Sequence, residues 1–395
     1  MTSNTSLDAI LSELRSNAEL PFEESRNAPP GMYSSPEFLA LEQEHIFAKE
    51  WICAGRADAL SKPGDYLTME IADQPIFVVH DRNGDIRAWS NVCLHRMSLL
   101  LEGRGNKPVI TCPYHAWSYG LDGQLRNAPY MDDSAAFDKK DYCLPSIRCE
   151  LFDGWIYVTL NPDIEPAAER FAPVRDIVTG RYQFENYQET FREEHVWDTN
   201  WKVLAENFME SYHLFQLHGP TIGKQSKVEE MDMPPGGATF NYHWITKDSK
   251  FALATAHPDC TYLEGEWRRT TALITLYPGH MITLTPGYFW YLVLQPQGPD
   301  QVKILYGGGM APDFINDPQG AEHVAKAKEI LDAVNEEDRI GTAMVHKGMK
   351  ANLARSGHLS YLERPNHEFG QYLARQITGS AACPTPDVEA LSAAR

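Results

Sequence analysis

The sequence predicts an α+β protein in which a small all-β domain precedes a larger domain with an antiparallel sheet and flanking helices. Three observations carry that expectation. The 395 residues are long for one core and fit two domains. Residues 52–160 hold short apolar or alternating runs broken by Gly and Asp. Residues 161–395 mix strand-like runs with helical stretches, and no internal repeat is present.

Residues 1–50 are expected to form an N-terminal segment that packs on the larger domain. Leu7 to Leu14 is a weak amphipathic stretch, and Ala28-Pro29-Pro30-Gly31 breaks the chain. Ser35 can cap a helix that starts at Pro36 and runs through Phe38, Leu39, Leu41 and Ile46 toward Trp51. The all-β domain then spans 51–160. Its strand runs are 66–71, 75–80, 86–92, 108–111 and 155–160, with turns at Asn83-Gly84 and Asp122-Gly123. Asn161-Pro162 closes it.

The larger domain is expected over 161–380. A helical segment near 199–217 precedes strand runs at 238–244, 270–276, 280–285, 288–295 and 302–307. Residues 320–354 read as helical, with Asn335-Glu336 as a local interruption. Another helix starts after Pro365-Asn366. Residues 381–395 are an expected mobile tail.

Composition narrows the function classes. The formal net charge is −19, from 35 Lys and Arg against 54 Asp and Glu. A field of that sign repels phosphate backbones and argues against nucleic acid as a partner. No stretch reaches the roughly 18 apolar residues of a membrane span. The start, MTSNTSLDAILSELRS, lacks the basic-then-apolar pattern of a secretory signal. A cytoplasmic enzyme with no membrane partner is expected. Seven cysteines, an odd set, argue against a disulfide framework.

Two of those cysteines sit beside histidines. Residues 91–117 read NVCLHRMSLLLEGRGNKPVITCPYHAW and contain Cys93-x-His95 and Cys112-x-x-His115. Each half puts a thiolate and an imidazole on one tight turn. Cys2His2 is also a zinc pattern. Against zinc, both halves run Cys then His, and Pro113 and short strands surround them where a finger has a ββα unit.

A second constellation lies in NWKVLAENFMESYHLFQLHG, residues 200–219. His213 and His218 are five apart, which on an ideal helix is about 140° and not one face. Both reach one metal only if the helix ends or distorts between them. Two histidines in an aromatic-rich helix are by default core residues.

The two motifs together resemble the large subunit of the Rieske ring-hydroxylating and demethylating oxygenases. The resemblance implies that Cys93 and Cys112 hold one iron of a [2Fe–2S] cluster and His95 and His115 the other, with Trp117 and Tyr114 shielding it. Met97 and Ala116 stand where that family more often has Gly; neither is a ligand, so little cost is expected. The family pattern over Glu206-Asn207, Glu210, His213 and His218 implies a mononuclear Fe(II) site. Its carboxylate is expected at the start of a long helix, where Asn335-Glu336-Glu337-Asp338-Arg339 offers Asp338, with Glu337 as the competing neighbour. Asn207 would support the iron pocket. Glu210 would accept bonds from His115 of one subunit and His213 of the next. That makes the functional unit a homo-oligomer, a trimer or a dimer of trimers.

The implied chemistry is O2 activation driven by NADH or NADPH. No Gly-rich dinucleotide fingerprint follows a strand, so electrons are expected from a separate flavin and iron–sulfur reductase, directly or through a ferredoxin. Glu210, where many aromatic-ring dioxygenases carry Asp, resembles the branch acting on quaternary ammonium compounds such as carnitine, glycine betaine and stachydrine. Monooxygenation next to nitrogen is therefore expected. The alternative is ring hydroxylation or O-demethylation of an aromatic acid; a non-enzymatic electron carrier is a third class. Tyr288-Phe289-Trp290-Tyr291 offers either cation–π faces or a buried strand. Phe208, Met209, Leu214, Phe215 and Leu217 suit a pocket of either kind. Arg268 or Arg269 in the pocket would favour a carboxylate substrate under both readings and does not discriminate between them.

Overall fold

The computed structural model describes residues 6–247 and 252–380. The chain divides into two compact units, Phe47–Glu169 and the flanking segments Met1–Ile46 with Arg170–Arg395. The sequence-based limits for the small domain were 51 and 160. The expected mobile tail, 381–395, lies outside the described residues.

The smaller unit is all β. One antiparallel sheet of seven strands runs in the order Ile52–Arg56, Trp155–Thr159, Ser146–Phe152, Ile86–Ser90, Gln74–His80, Asp65–Ile71, Arg104–Asn106. A second, three-stranded sheet joins Ile110–Thr111, Ser118–Tyr119 and Leu125–Asn127. Gly84 and Gly123 adopt the left-handed φ that their turns require. The core gathers Phe77, Val79, Trp89, Ile110, Trp117 and Tyr119, and both Cys93 and Cys112 belong to it. Ser146–Phe152 had no sequence signal, because Arg148 and Glu150 interrupt the apolar residues of its SIRCELF run. Pairing on both sides holds it in place.

The larger unit is built on another seven-stranded antiparallel sheet. Its order is Gln188–Trp197, Val302–Met310, Tyr288–Pro296, His280–Leu284, Thr270–Leu276, Phe240–Thr246, Met231–Asp232. Gln188–Trp197 escaped the sequence reading. It is an edge strand rich in charge, tied outward by Lys303–Glu194 at 2.8 Å and Lys328–Glu193 at 2.9 Å.

Six helices position the site: α1 (Leu7–Ala18), α2 (Pro36–Glu42), α3 (Trp201–Met209), α4 (Leu214–Leu217), α5 (Gly320–Met349) and α6 (Arg364–Thr378). Ser35 caps α2 by accepting from Phe38 N, with Pro36 at the first position. α2 stops at Glu42 and a wider turn carries the chain to Phe47, so the expected run toward Trp51 is shorter as an α-helix. α5 shows no interruption at Asn335-Glu336. Leu331, Val334, Asp338 and Thr342 form one buried face, and Glu336 pairs with Arg339 on the outside, so packing overrides the weak helix propensity of Asn.

α3 packs on α5, on α6 and on three strands of the sheet. Asn200 caps it by accepting from Lys202 N at 3.0 Å. Seven of the nine residues of α3 are buried, the charged Lys202 among them. Lys202 and Glu42 are both 0% exposed and pair at 2.7 Å, and Trp201 Nε1 donates to the same carboxylate at 3.0 Å. Tyr33 OH donates to Glu206 at 2.6 Å. Burial pushes the Glu206 carboxyl up to about 7, against the lowering effects of Tyr33 and Lys202.

A folded-state pKa above the unfolded one stabilises at low pH, and the contribution fades as pH rises from the ordinary Glu value through the folded one. The isosteric Glu206→Gln variant keeps an acceptor for Tyr33 without the ionisation. Thermal denaturation is expected to show it more stable than the parent at pH 8, with the difference vanishing near pH 5.

Candidate metal centres

The two Cys-His loops of the smaller unit share one backbone plan. Cys93 N donates to Ser98 O at 2.9 Å and Cys112 N to Trp117 O at 2.8 Å. The N–H four residues on returns to each cysteine carbonyl, Met97 to Cys93 at 3.0 Å and Ala116 to Cys112 at 3.1 Å. Closing the loop this way forces positive φ at the fourth residue, 55° for Met97 and 60° for Ala116. The small cost expected of these two residues is corrected here. Side chains in the left-handed region cost on the order of 1 kcal/mol each, whether or not they touch a metal.

The loops bring their side chains together. The rings of His95 and His115 lie 4.5 Å apart, and Trp117 stacks on His95 at 4.8 Å and 8°. His95 Nδ1 is buried without a hydrogen-bond partner, as a nitrogen reserved for an iron would be. Burial, then His115 and Arg96, hold the His95 pKa below its ordinary value, which keeps the ring neutral. Burial raises the Cys112 thiol, but N–H groups of Tyr114 and His115 outweigh it and pull it down. Trp117 is buried in the core. Tyr114 lies 3.9 Å from the His115 ring yet is 58% exposed, so it covers one ring face and does not seal the loop.

The second constellation lies in the larger unit. α3 ends at Met209 and Glu210 leaves it in extended conformation. The Glu210 carboxylate accepts the N–H of Tyr212 and, at 3.1 Å, of His213, and meets His213 Nδ1 at 2.6 Å. His213 opens α4 and His218 closes it. This break brings together two histidines that a continuous helix would separate. Their Nε2 atoms are 3.2 Å apart, and Asp338 Oδ1 lies 3.1 Å from that of His218 and 3.7 Å from that of His213. The three groups fit a single ion, with ligand atoms within 4.8 Å of one another.

Neighbouring side chains fix that geometry. His218 Nδ1 meets Glu337 Oε2 at 2.7 Å, and Thr221 Oγ1 donates to the same oxygen at 2.6 Å. Each imidazole therefore has Nδ1 tied to a carboxylate and Nε2 turned to the common point. Burial works against a proton on His218, but Asp338 and Glu337 outweigh it and raise its pKa. Asn207 Nδ2 reaches Asp338 Oδ1 at 3.0 Å and His213 Nε2 at 3.2 Å. Adjacent acids on α5 thus face different atoms. They sit mid-helix, not at a helix start as expected.

Known families match the two segments that carry these residues. Residues 50–146 match the Rieske [2Fe-2S] domain, and residues 184–379 match the ring hydroxylating alpha subunit catalytic domain. The carnitine monooxygenase oxygenase subunit of Escherichia coli (strain K12) is 32% identical over 351 residues, covering 88% of this chain and 90% of that protein. The chain belongs to the Rieske non-haem iron oxygenase alpha subunits. The chloroplastic choline monooxygenase of Beta vulgaris is 27% identical over 383 residues, covering 94% of this oxygenase and 82% of the relative. A crystal structure of a quaternary ammonium Rieske monooxygenase with an inhibitor shares the fold, with a TM-score of 0.79 at 21% identity over 93% of this chain and 98% of that one. So does naphthalene 1,2-dioxygenase from Rhodococcus sp., with a TM-score of 0.80 at 18% identity over 95% and 99%.

In this oxygenase the triad opens on a cavity lined mostly by apolar side chains. Tyr288 and Trp290 line it, while Phe289 and Tyr291 point through the sheet to the other side. Phe208 meets Trp290 edge-on at 5.5 Å. Phe208 and Leu214 line the cavity as expected; Met209, Phe215 and Leu217 do not. Arg268 and Arg269 also lie outside it and donate to backbone carbonyls, among them those of Cys260 and Lys247. Three residues were missed. Lys247 lines the cavity, and His243 Nε2 meets Ser211 Oγ at 2.8 Å directly behind the triad segment. Strand alternation through His243, Ile245 and Lys247 was the available signal. Thr221, the third, had none.

Asp338→Ala is expected to lose mononuclear iron while the visible absorption of the cluster persists. Glu337→Gln should keep the ion but bind it about 10- to 100-fold more weakly, read by competition with a graded chelator. Equal iron retention by both variants would contradict this division of roles.

Proposed function

We propose that this oxygenase hydroxylates a carbon next to nitrogen in a quaternary ammonium substrate, leading to N-demethylation or C–N cleavage. One observation carries the reading: the His213, His218 and Asp338 triad faces a cavity walled by Tyr288, Trp290 and Phe208. Aromatic faces attract a cation that cannot donate hydrogen bonds, and they shed little water in doing so. Relatives named for carnitine, choline and glycine betaine support the same substrate class.

Cys93, His95, Cys112 and His115 would hold the [2Fe–2S] cluster, and His213, His218 and Asp338 the Fe(II). So loaded, the sites supply electron storage and O2 activation. The overall reaction converts C–H to C–OH. The second oxygen atom leaves as water, with a pair of electrons from an NADH- or NADPH-dependent reductase and two protons. Collapse of an N-hydroxymethyl group then releases formaldehyde and the demethylated amine.

Within the chain, Glu210 and Glu337 orient the imidazoles, and Asn207 steadies Asp338. Glu210 also lines an open groove with Tyr212, Phe215, Met344 and Val345, whose apolar parts are exposed. That surface suits the His115 loop of a neighbouring subunit, in a ring that is most simply a trimer.

With the reductase supplied, trimethylammonium compounds should be turned over to product and benzoates should not, formaldehyde release marking N-demethylation specifically. Oxidation of benzoates alone would refute the reading; NADH consumption without product would not support it. Glu210→Gln should retain cluster and iron while turnover falls about 10- to 100-fold. Unchanged turnover would remove Glu210 from the path between subunits.

A further inference from the structure

The cavity has a charged feature at the end away from the metal ligands. Among the described residues that line it, Lys247 is the one Lys or Arg. Its place follows from the register of the sheet. His243, Ile245 and Lys247 alternate onto one face, and Lys247 N continues the pairing by donating to Arg269 O at 3.3 Å. His243 sits behind the triad through Ser211. At about 3.3 Å of rise per residue, the Lys247 backbone is about 13 Å further along the strand.

Along the strand direction the aromatic wall falls between these two ends, three strands across the sheet from them. His243 pairs with Leu273, Leu273 with Thr283, and Thr283 with Trp290, so Trp290 shares the cross-strand row of His243. Tyr288 lies two residues on, in the direction of Lys247. Passing along the sheet face, a ligand would meet the metal triad, then Trp290, then Tyr288, then an ammonium group.

Lys247 is itself buried, with the carboxylate of Glu230 near enough to act on it. Its ammonium carries three N–H donors, so a substrate acceptor can share it with the groups already around it. Two hydroxyls of the same lining, Ser226 Oγ and Thr283 Oγ1, are buried and make no hydrogen bond among the described residues. Buried polar atoms of this kind are ordinarily satisfied, so a polar ligand accounts for them better than an apolar one. Trimethylammonium cannot serve, because it neither accepts nor donates.

We propose that Lys247 binds a carboxylate of the substrate, so that the oxygenase takes a zwitterion with its quaternary nitrogen at the aromatic wall and its carboxylate at Lys247. This deepens the quaternary-ammonium reading and rests on it. It makes Lys247 a specificity-determining residue and separates carboxylated betaines from choline, which carries a hydroxyl at the corresponding end.

The test uses the reduced, metal-loaded oxygenase without O2, so that equilibrium binding is read apart from turnover. Glycine betaine, γ-butyrobetaine and choline are titrated by calorimetry, then assayed aerobically with the reductase. At least one carboxylated compound should bind about 10- to 100-fold more tightly than choline, the range of a charge-assisted contact in a buried site. Lys247→Met should erase that preference through Kd and KM, leaving choline binding and kcat within a few-fold; Lys247→Arg should retain part of it. Equal or tighter binding of choline by the parent enzyme overturns the role of Lys247 and leaves the quaternary-ammonium reading standing. Turnover of none of the three, with oxidation of benzoates instead, overturns both. The parent comparison decides the matter even if the methionine variant does not fold.

Discussion

The carboxylate of Glu210 is the contact on which the catalytic unit depends. It collects the N–H groups of Tyr212 and His213 and the Nδ1 of His213 at once. The first two bonds end the run of α3 by giving its continuation other partners. The third sets the tautomer and direction of an imidazole. Helix termination and ligand orientation are one event here. Had α3 continued, His213 and His218 would have diverged by about 140° around its axis.

The same economy recurs on the far side of the ion. α5 is straight through Glu337 and Asp338, so the two carboxylates leave it at different angles. Asp338 reaches the common point and Glu337 reaches the back of His218. A rigid helix supplies both shells from consecutive positions. The loops of the smaller unit work in the opposite way, accepting unfavourable φ at Met97 and Ala116 to present Cys and His from one tight turn.

Much of this was legible in the sequence, and the failures have physical causes. The Cys-His spacings are local, so tight loops follow from them directly. The five-residue interval between His213 and His218 demanded a break, and Glu210 was the residue that supplied it. Choosing between Glu337 and Asp338 required knowing how α5 is rotated, which depends on packing against α3 and the sheet. Asn335-Glu336 misled because propensity is weak beside a buried face. Lys247 went unnoticed because a lysine in a strand usually marks an edge or the solvent side. Its inward direction appears only once the parity with His243 is fixed.

The buried partners of α3 carry a consequence for the order in which the chain can mature. Tyr33 and Glu42 contact residues 173 and 159 positions later. As the polypeptide leaves the ribosome, the smaller unit has all its strands available before α3 is made, since its last strand is Trp155–Thr159. The N-terminal segment must wait through that interval with an acid and a phenol committed to an interior not yet synthesised. Contacts so distant in sequence form late and slowly. The iron pocket is therefore among the last parts of the molecule to acquire its shape, after the cluster loops have formed.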